Sequence, residues 1–130
     1  MAMSDAYLLA LKKSAADLQA LRNMQDTFAF DEAVFGFHAQ QACEKALKAW
    51  LLLLGIVPPF VHDLRRLIAL LAQHGAVVAE ADAIAELTDY AVEWRYDEMP
   101  GDELIDRPGI VALCERLFAT VVAVKTTHAE

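Results

Sequence analysis

Phe37–Trp50 reads FHAQQACEKALKAW, and the reading of the fold turns on it. At 100° per residue, Ala39, Cys43, Ala46, Leu47, Trp50 and Leu54 fall on one side of a helix. Gln41, Glu44, Lys45 and Lys48 fall on the other side, the last three within about 60° of Gln41. Val34, Phe37 and Leu52 project on the same side as these four, above and below them. The apolar side is the expected core face. The polar side has two readings. It is a solvated face tied by the i,i+4 pairs Gln41–Lys45 and Glu44–Lys48, or a contact surface with a charged centre and apolar ends.

Working outward, this helix begins around Phe30–Glu32 and runs to Leu54, with Gly55 as its stop. Upstream, Ser4 is placed to cap a helix with the stripe Leu8, Leu11, Ala15, Leu18 and Leu21, fading near Asn23. Downstream, Ile56–His62 carries Pro58-Pro59, which a helix interior would not tolerate. Asp63 is placed to cap a third helix with the stripe Leu64, Leu67, Ile68 and Leu71, ended by Gly75. A fourth is expected from about Glu80 to Trp94, with Ile84, Leu87 and Ala91 inward. The acidic stretch Tyr96–Arg107, with Pro100-Gly101, follows as a break. Asp106–Pro108 opens a fifth helix, whose stripe is Ile110, Leu113, Leu117, Val121 and Val124. No segment alternates like a strand. The expectation is an all-α chain: a single up-and-down bundle of about five helices spanning residues 1–130, with neighbours mainly antiparallel.

The chain is 57% apolar and long enough to bury a core as one domain. Eleven Lys+Arg against nineteen Asp+Glu give a net charge of −8, which disfavours bulk electrostatic capture of nucleic acid. Cys43 and Cys114 lie far apart in helical patterns, which fits reduced, buried thiols and a cytoplasmic protein. No basic n-region precedes an apolar h-region, so no signal peptide is expected. The longest apolar stretch, Ala49–Val57, is too short to span a bilayer. No His-x3-His, Cys-x2-Cys or Gly-rich phosphate loop is present, so neither a metal nor another cofactor is expected. Phe28, Phe30, Phe35 and Phe37 cluster at the start of the second helix, as core and staple residues or as a partner surface. His62 reads as a turn residue beside the Asp63 cap or as a site residue near Lys48 and Arg95. His74 reads as a helix-end residue favoured by the dipole.

Arg95 lies close to the inward stripe of the fourth helix, and an unpaired buried charge costs several kcal/mol. Glu44 is its expected partner, with Glu93 and Asp97 as local competitors and the Tyr96 hydroxyl beside the guanidinium.

Taken together, FHAQQACEKALKAWL, VHDLRRLIALL and YAVEWRYDE resemble the successive motifs of HEPN domains (higher eukaryotes and prokaryotes nucleotide-binding). The resemblance covers Tyr7 to about Val124, and its most specific parts are Gln-x-x-Glu-Lys-x-x-Lys at 41–48 and Arg95-Tyr96. It implies a compact helical bundle, commonly dimeric. It also implies a small nucleotidyltransferase as partner, often in a toxin–antitoxin module. Some members of the family are metal-independent ribonucleases that carry Arg, four to six residues, then His. Here the positions counted from Arg95 hold Pro100, Gly101 and Asp102, and those counted from Arg107 hold Ala112, Leu113 and Cys114. Without that His the proton-transfer role has no holder, and ribonuclease activity is not expected. Two functions therefore stand: an interaction module, or a nucleotide- or RNA-binding protein using Lys45, Lys48, Arg95 and Tyr96. Gln41, Glu44, His62, Val34, Phe37 and Leu52 complete the candidate site and interface residues.

Overall fold

A computed structural model describes residues 3–26, 29–91 and 106–128 of the 130-residue chain. The elements are α1 (Met3–Asn23), α2 (Glu32–Leu53), α3 (Leu64–Gln73), α4 (Ala81–Ala85), a 3-10 helix (Glu86–Ala91) and α5 (Arg107–His128). The described residues contain no strand. None of their helices is long and apolar enough to cross a membrane.

α2 is the hub, touching α1, α3, the 3-10 helix and α5. Asp31 starts it from an extended backbone, its carboxylate accepting from the Ala33 N–H at 3.0 Å. Its end is a Schellman turn. Gly55, at φ 79°, donates to the Leu52 carbonyl, and Ile56 donates to that of Leu51. The expected core face holds: Ala39, Cys43, Ala46, Leu47 and Trp50 are buried, while Leu54 packs part-buried against the core. Burial goes further round than the wheel suggested and takes in Gln40, Ala42 and Glu44.

α1 runs antiparallel to α2, since Ser14 meets Ala42 while Asp17, further along α1, meets the earlier His38. Of the expected α1 stripe Leu11, Leu18 and Leu21 hold, while Leu8 and Ala15 give way to Tyr7 and Ser14. Leu8 is 47% exposed, and the inward seam is Tyr7, Leu11, Ser14, Leu18 and Leu21. This seam steps by four and three, the spacing of a packed helix pair. It includes Ser14 because the hydroxyl is satisfied by donating to the Ala42 carbonyl at 2.7 Å. α1 begins at Met3, so Ser4 lies inside the helix and not at its cap.

α3 starts as expected on Asp63, which accepts from the Arg65 N–H at 3.0 Å, and its C-cap is His74, whose ring is bonded to the Leu70 carbonyl. The fourth helix departs from expectation. It runs five α-helical residues and then tightens to 3-10 geometry. At three residues per turn Ile84, Leu87 and Tyr90 share a face. Ile84 and Leu87 are buried, and the Tyr90 ring lies over Gly36 of α2, where a Cβ would stand 2.6 Å from ring carbon Cγ. Thr88 Oγ1 accepts from the Leu64 N–H at the start of α3. These two contacts favour the tighter helix.

α5 opens at the expected place, with Asp106 accepting from the Gly109 N–H. Leu113, Leu117 and Val121 are buried, and Ile110 and Val124 pack part-buried. Arg107 is 2% exposed. Its guanidinium donates to the carbonyls of Met24, Asp26 and Phe30 at 2.7, 3.3 and 2.7 Å, and lies 5.2 Å from the Phe35 ring centre. The sequence counted this arginine only as the start of a missing motif; in the fold it is a structural clasp.

Candidate functional site

The polar residues of α2 are organised around two carboxylates. Glu44 is 5% exposed. Its Oε1 accepts from Gln40 Nε2 at 3.0 Å and pairs with His62 Nδ1 at 2.8 Å, while Oε2 accepts from Lys48 Nζ at 3.0 Å. Gln40, fully buried, also donates to the His62 carbonyl at 2.9 Å, and Gln41 donates to Gln40 Oε1 at 2.8 Å. Burial alone pushes the Glu44 carboxyl up. The hydrogen bonds from Gln40, His62 and Lys48 outweigh it and hold the group below the ordinary glutamate range.

The second carboxylate is Asp17, on α1. It accepts from Lys45 Nζ at 2.6 Å and pairs with His38 Nδ1 at 2.9 Å. The two clusters share one plan: a carboxylate between an imidazole and an ammonium, with α2 supplying at least one member. An ionised carboxylate has only lone pairs to offer, so each imidazole donates to it through a proton on Nδ1. His62 is the more accessible of the two, its side chain 64% exposed against 30% for His38.

Of the expected site residues, the fold brings Gln41, Glu44, Lys48 and His62 into one network and sends Lys45 to the neighbouring Asp17 cluster. Arg95 and Tyr96, and with them the expected Glu44–Arg95 pair, lie outside the described residues. Of the expected interface residues, Val34 is exposed, Phe37 is half-buried and stands edge-on to His38, and Leu52 is half-buried against the core.

Two members of these clusters, Asp17 and Gln40, escaped the sequence reading, as did the buried Ser14 beside them. Asp17 and Ser14 sit three apart on the buried side of α1, and a polar residue in that register is the signal that marks them. Gln40 gave no signal beyond its place between the two wheel faces.

Between the first half of α1 and the second half of α2 runs an open groove of about 270 Å³. Ala6, Leu9, Ala10 and Lys13 line one side, and Glu44, Lys45 and Lys48 the other. On the opposite side of α2, Cys43 and Cys114 are buried with their sulfurs 3.6 Å apart. The neighbouring sulfur and burial push the Cys43 thiol well up. Among the described residues no group of three or more His, Cys, Asp or Glu side chains is placed to hold a metal ion.

Residues 7–122 match the sequence profile of the HEPN domain. No curated protein and no solved structure matches the chain.

Proposed function

Because the chain belongs to the HEPN domain family, we propose that it works as an interaction module: a helical domain that self-associates and acts with a small nucleotidyltransferase, in a toxin–antitoxin-like setting. The observation that carries this reading is the distribution of exposed apolar side chains. Leu8, Leu9 and Val34 are 47%, 42% and 36% exposed on the two longest-packed helices, while the polar groups of α2 are bonded to one another. A partner surface uses the first set for contact area. The second set holds α1, α2 and the loop before α3 together. Sedimentation at micromolar concentration should give about twice the 14.3 kDa chain mass. Co-expression with a small nucleotidyltransferase should give a stable complex. A clean monomer that captures no such protein would overturn the proposal.

The second reading, a nucleotide- or RNA-binding protein, draws on one specific observation. His62 has its Nδ1 fixed by Glu44, beside Lys48, with most of its ring open to solvent. Lys45, Lys48, Arg95 and Tyr96 are the residues that would hold the phosphate.

A further inference from the structure

The α1–α2 groove combines apolar and cationic lining. It is lined by the apolar side chains of Ala6, Leu9 and Ala10, by Glu44, and by Lys13, Lys45 and Lys48. These are three of the five lysines in a chain whose net charge is −8. Asp17 and Glu44 offset the charges of Lys45 and Lys48 and leave Lys13 as the unpaired cation among the described groove residues. These carboxylates are 12% and 6% exposed at the side chain while Lys45 and Lys48 are 27% and 20%, so the groups turned toward the groove's surface are the lysines. Each of those two ammonium groups has three N–H donors and spends one on its carboxylate. Lys13 is exposed and has no partner among the described residues. Asp5 lies one turn before Leu9 but does not line the groove.

We propose that this groove is the docking site for an acidic segment of a protein partner. One aliphatic side chain seats against Leu9, Ala6 and Ala10, and flanking carboxylates pair with Lys13, Lys45 and Lys48. The assignment rests on the interaction-module reading and adds to it where the partner binds and with what chemistry. Size and composition separate this occupant from the others. The groove, at about 270 Å³, falls short of the volumes that enclose drug-sized ligands, roughly 300–1,000 Å³. It contains no aromatic ring on which a base could stack. Three lysines on an acidic chain make a short cationic spot, whereas a polynucleotide needs a basic track. Charge complementarity therefore selects a short acidic sequence, and the leucine selects one with an aliphatic anchor.

The test uses the full chain with three labelled probes: a short helical peptide carrying Leu and Glu on one face, the synthetic peptide of residues 93–106 (EWRYDEMPGDELID), and single-stranded RNA. Amide shifts map each contact, and fluorescence anisotropy measures affinity. The Leu/Glu peptide should shift residues around Leu9, Lys13, Lys45 and Lys48, and bind more weakly as salt rises. Its affinity should fall about tenfold in Lys13→Glu and stay unchanged in Lys12→Glu, whose side chain lies outside the groove. Both positions are exposed, so both variants should keep the wild-type circular dichroism. Equal weakening by the two variants would reduce the effect to bulk charge and overturn the assignment. So would no shift at all, occupation of the groove by RNA, or a response to the 93–106 peptide alone. If a co-purifying partner binds Lys13→Glu as tightly as it binds the wild-type chain, the groove assignment falls and the interaction-module reading stands.

Discussion

Replacing Glu44 tests whether the polar centre of α2 is structural. Its carboxylate, 6% exposed, receives three donors at 2.8–3.0 Å from Gln40, His62 and Lys48. Hydrogen bonds to a charged group contribute about 1.5–3 kcal/mol each, so simple addition would overstate the loss. In Glu44→Ala the ammonium of Lys48 and the ring of His62 regain water, being 20% and 64% exposed, and Gln40 keeps its bond to the His62 carbonyl. The expected cost is therefore about 2–4 kcal/mol, at or below the range for breaking a buried pair. Glu44→Gln keeps the shape but turns an amide donor toward existing donors, and should cost about 1–3 kcal/mol. Urea denaturation at neutral pH measures both. The pH dependence gives an independent check. The folded Glu44 carboxyl titrates below its ordinary range, so its contribution is complete above about pH 4.3 and is lost as the pH falls through the folded value. The stability gap between wild type and Glu44→Gln should close on acidification. A loss under about 1 kcal/mol in Glu44→Ala, with the same pH profile as wild type, would refute the reasoning.

Gly36→Ala normally gains stability in a helix interior, but here the new methyl meets the Tyr90 ring; the expected result is a loss of about 1–3 kcal/mol by chemical denaturation, partly relieved by Tyr90→Leu. Arg107→Met strips three carbonyls of their donor and should cost about 2–4 kcal/mol, measured the same way, with Lys at this position failing to restore the wild-type value because its single ammonium cannot span them. The purified chain should leave labelled single-stranded RNA intact in chelator at neutral pH; cleavage that vanishes in His62→Ala would move the reading from interaction module to nuclease.

The architecture was legible where large apolar residues repeat at helical spacing. α2, α3 and α5 carry enough of them that the core face, the Asp63 cap and the Gly55 and Gly75 stops could be placed from local sequence. α1 was misread by about one residue because its true seam passes through Ser14. That position looks polar until a carbonyl on another helix is there to accept its proton. The 3-10 helix at Glu86–Ala91 was not legible at all. What favours it, Tyr90 on Gly36 and Thr88 at the start of α3, joins residues more than twenty positions apart. The polar centre was half legible. The wheel gathered Gln41, Glu44, Lys45 and Lys48, but it treats a helix face as facing either core or water. Glu44 is buried while the lysines beside it reach the surface, an outcome set by stem length, by donors to Glu44 from α2 itself and the loop before α3, and by the acceptor that Asp17 of α1 offers Lys45.

Arg107 has a consequence for how the bundle opens. One side chain at the first residue of α5 holds three carbonyls of the segment that joins α1 to α2. Neither can come away without exposing a desolvated cation on one side and bare carbonyls on the other, so the two act as one cooperative unit. In hydrogen-exchange terms, amides of the first turn of α5 and of the α1–α2 connection should open with a common free energy although they lie some eighty positions apart in the chain. The order of breathing is thereby fixed: the remote ends of α1 and α5 can fray one at a time, while the Arg107 end of the bundle is released all at once.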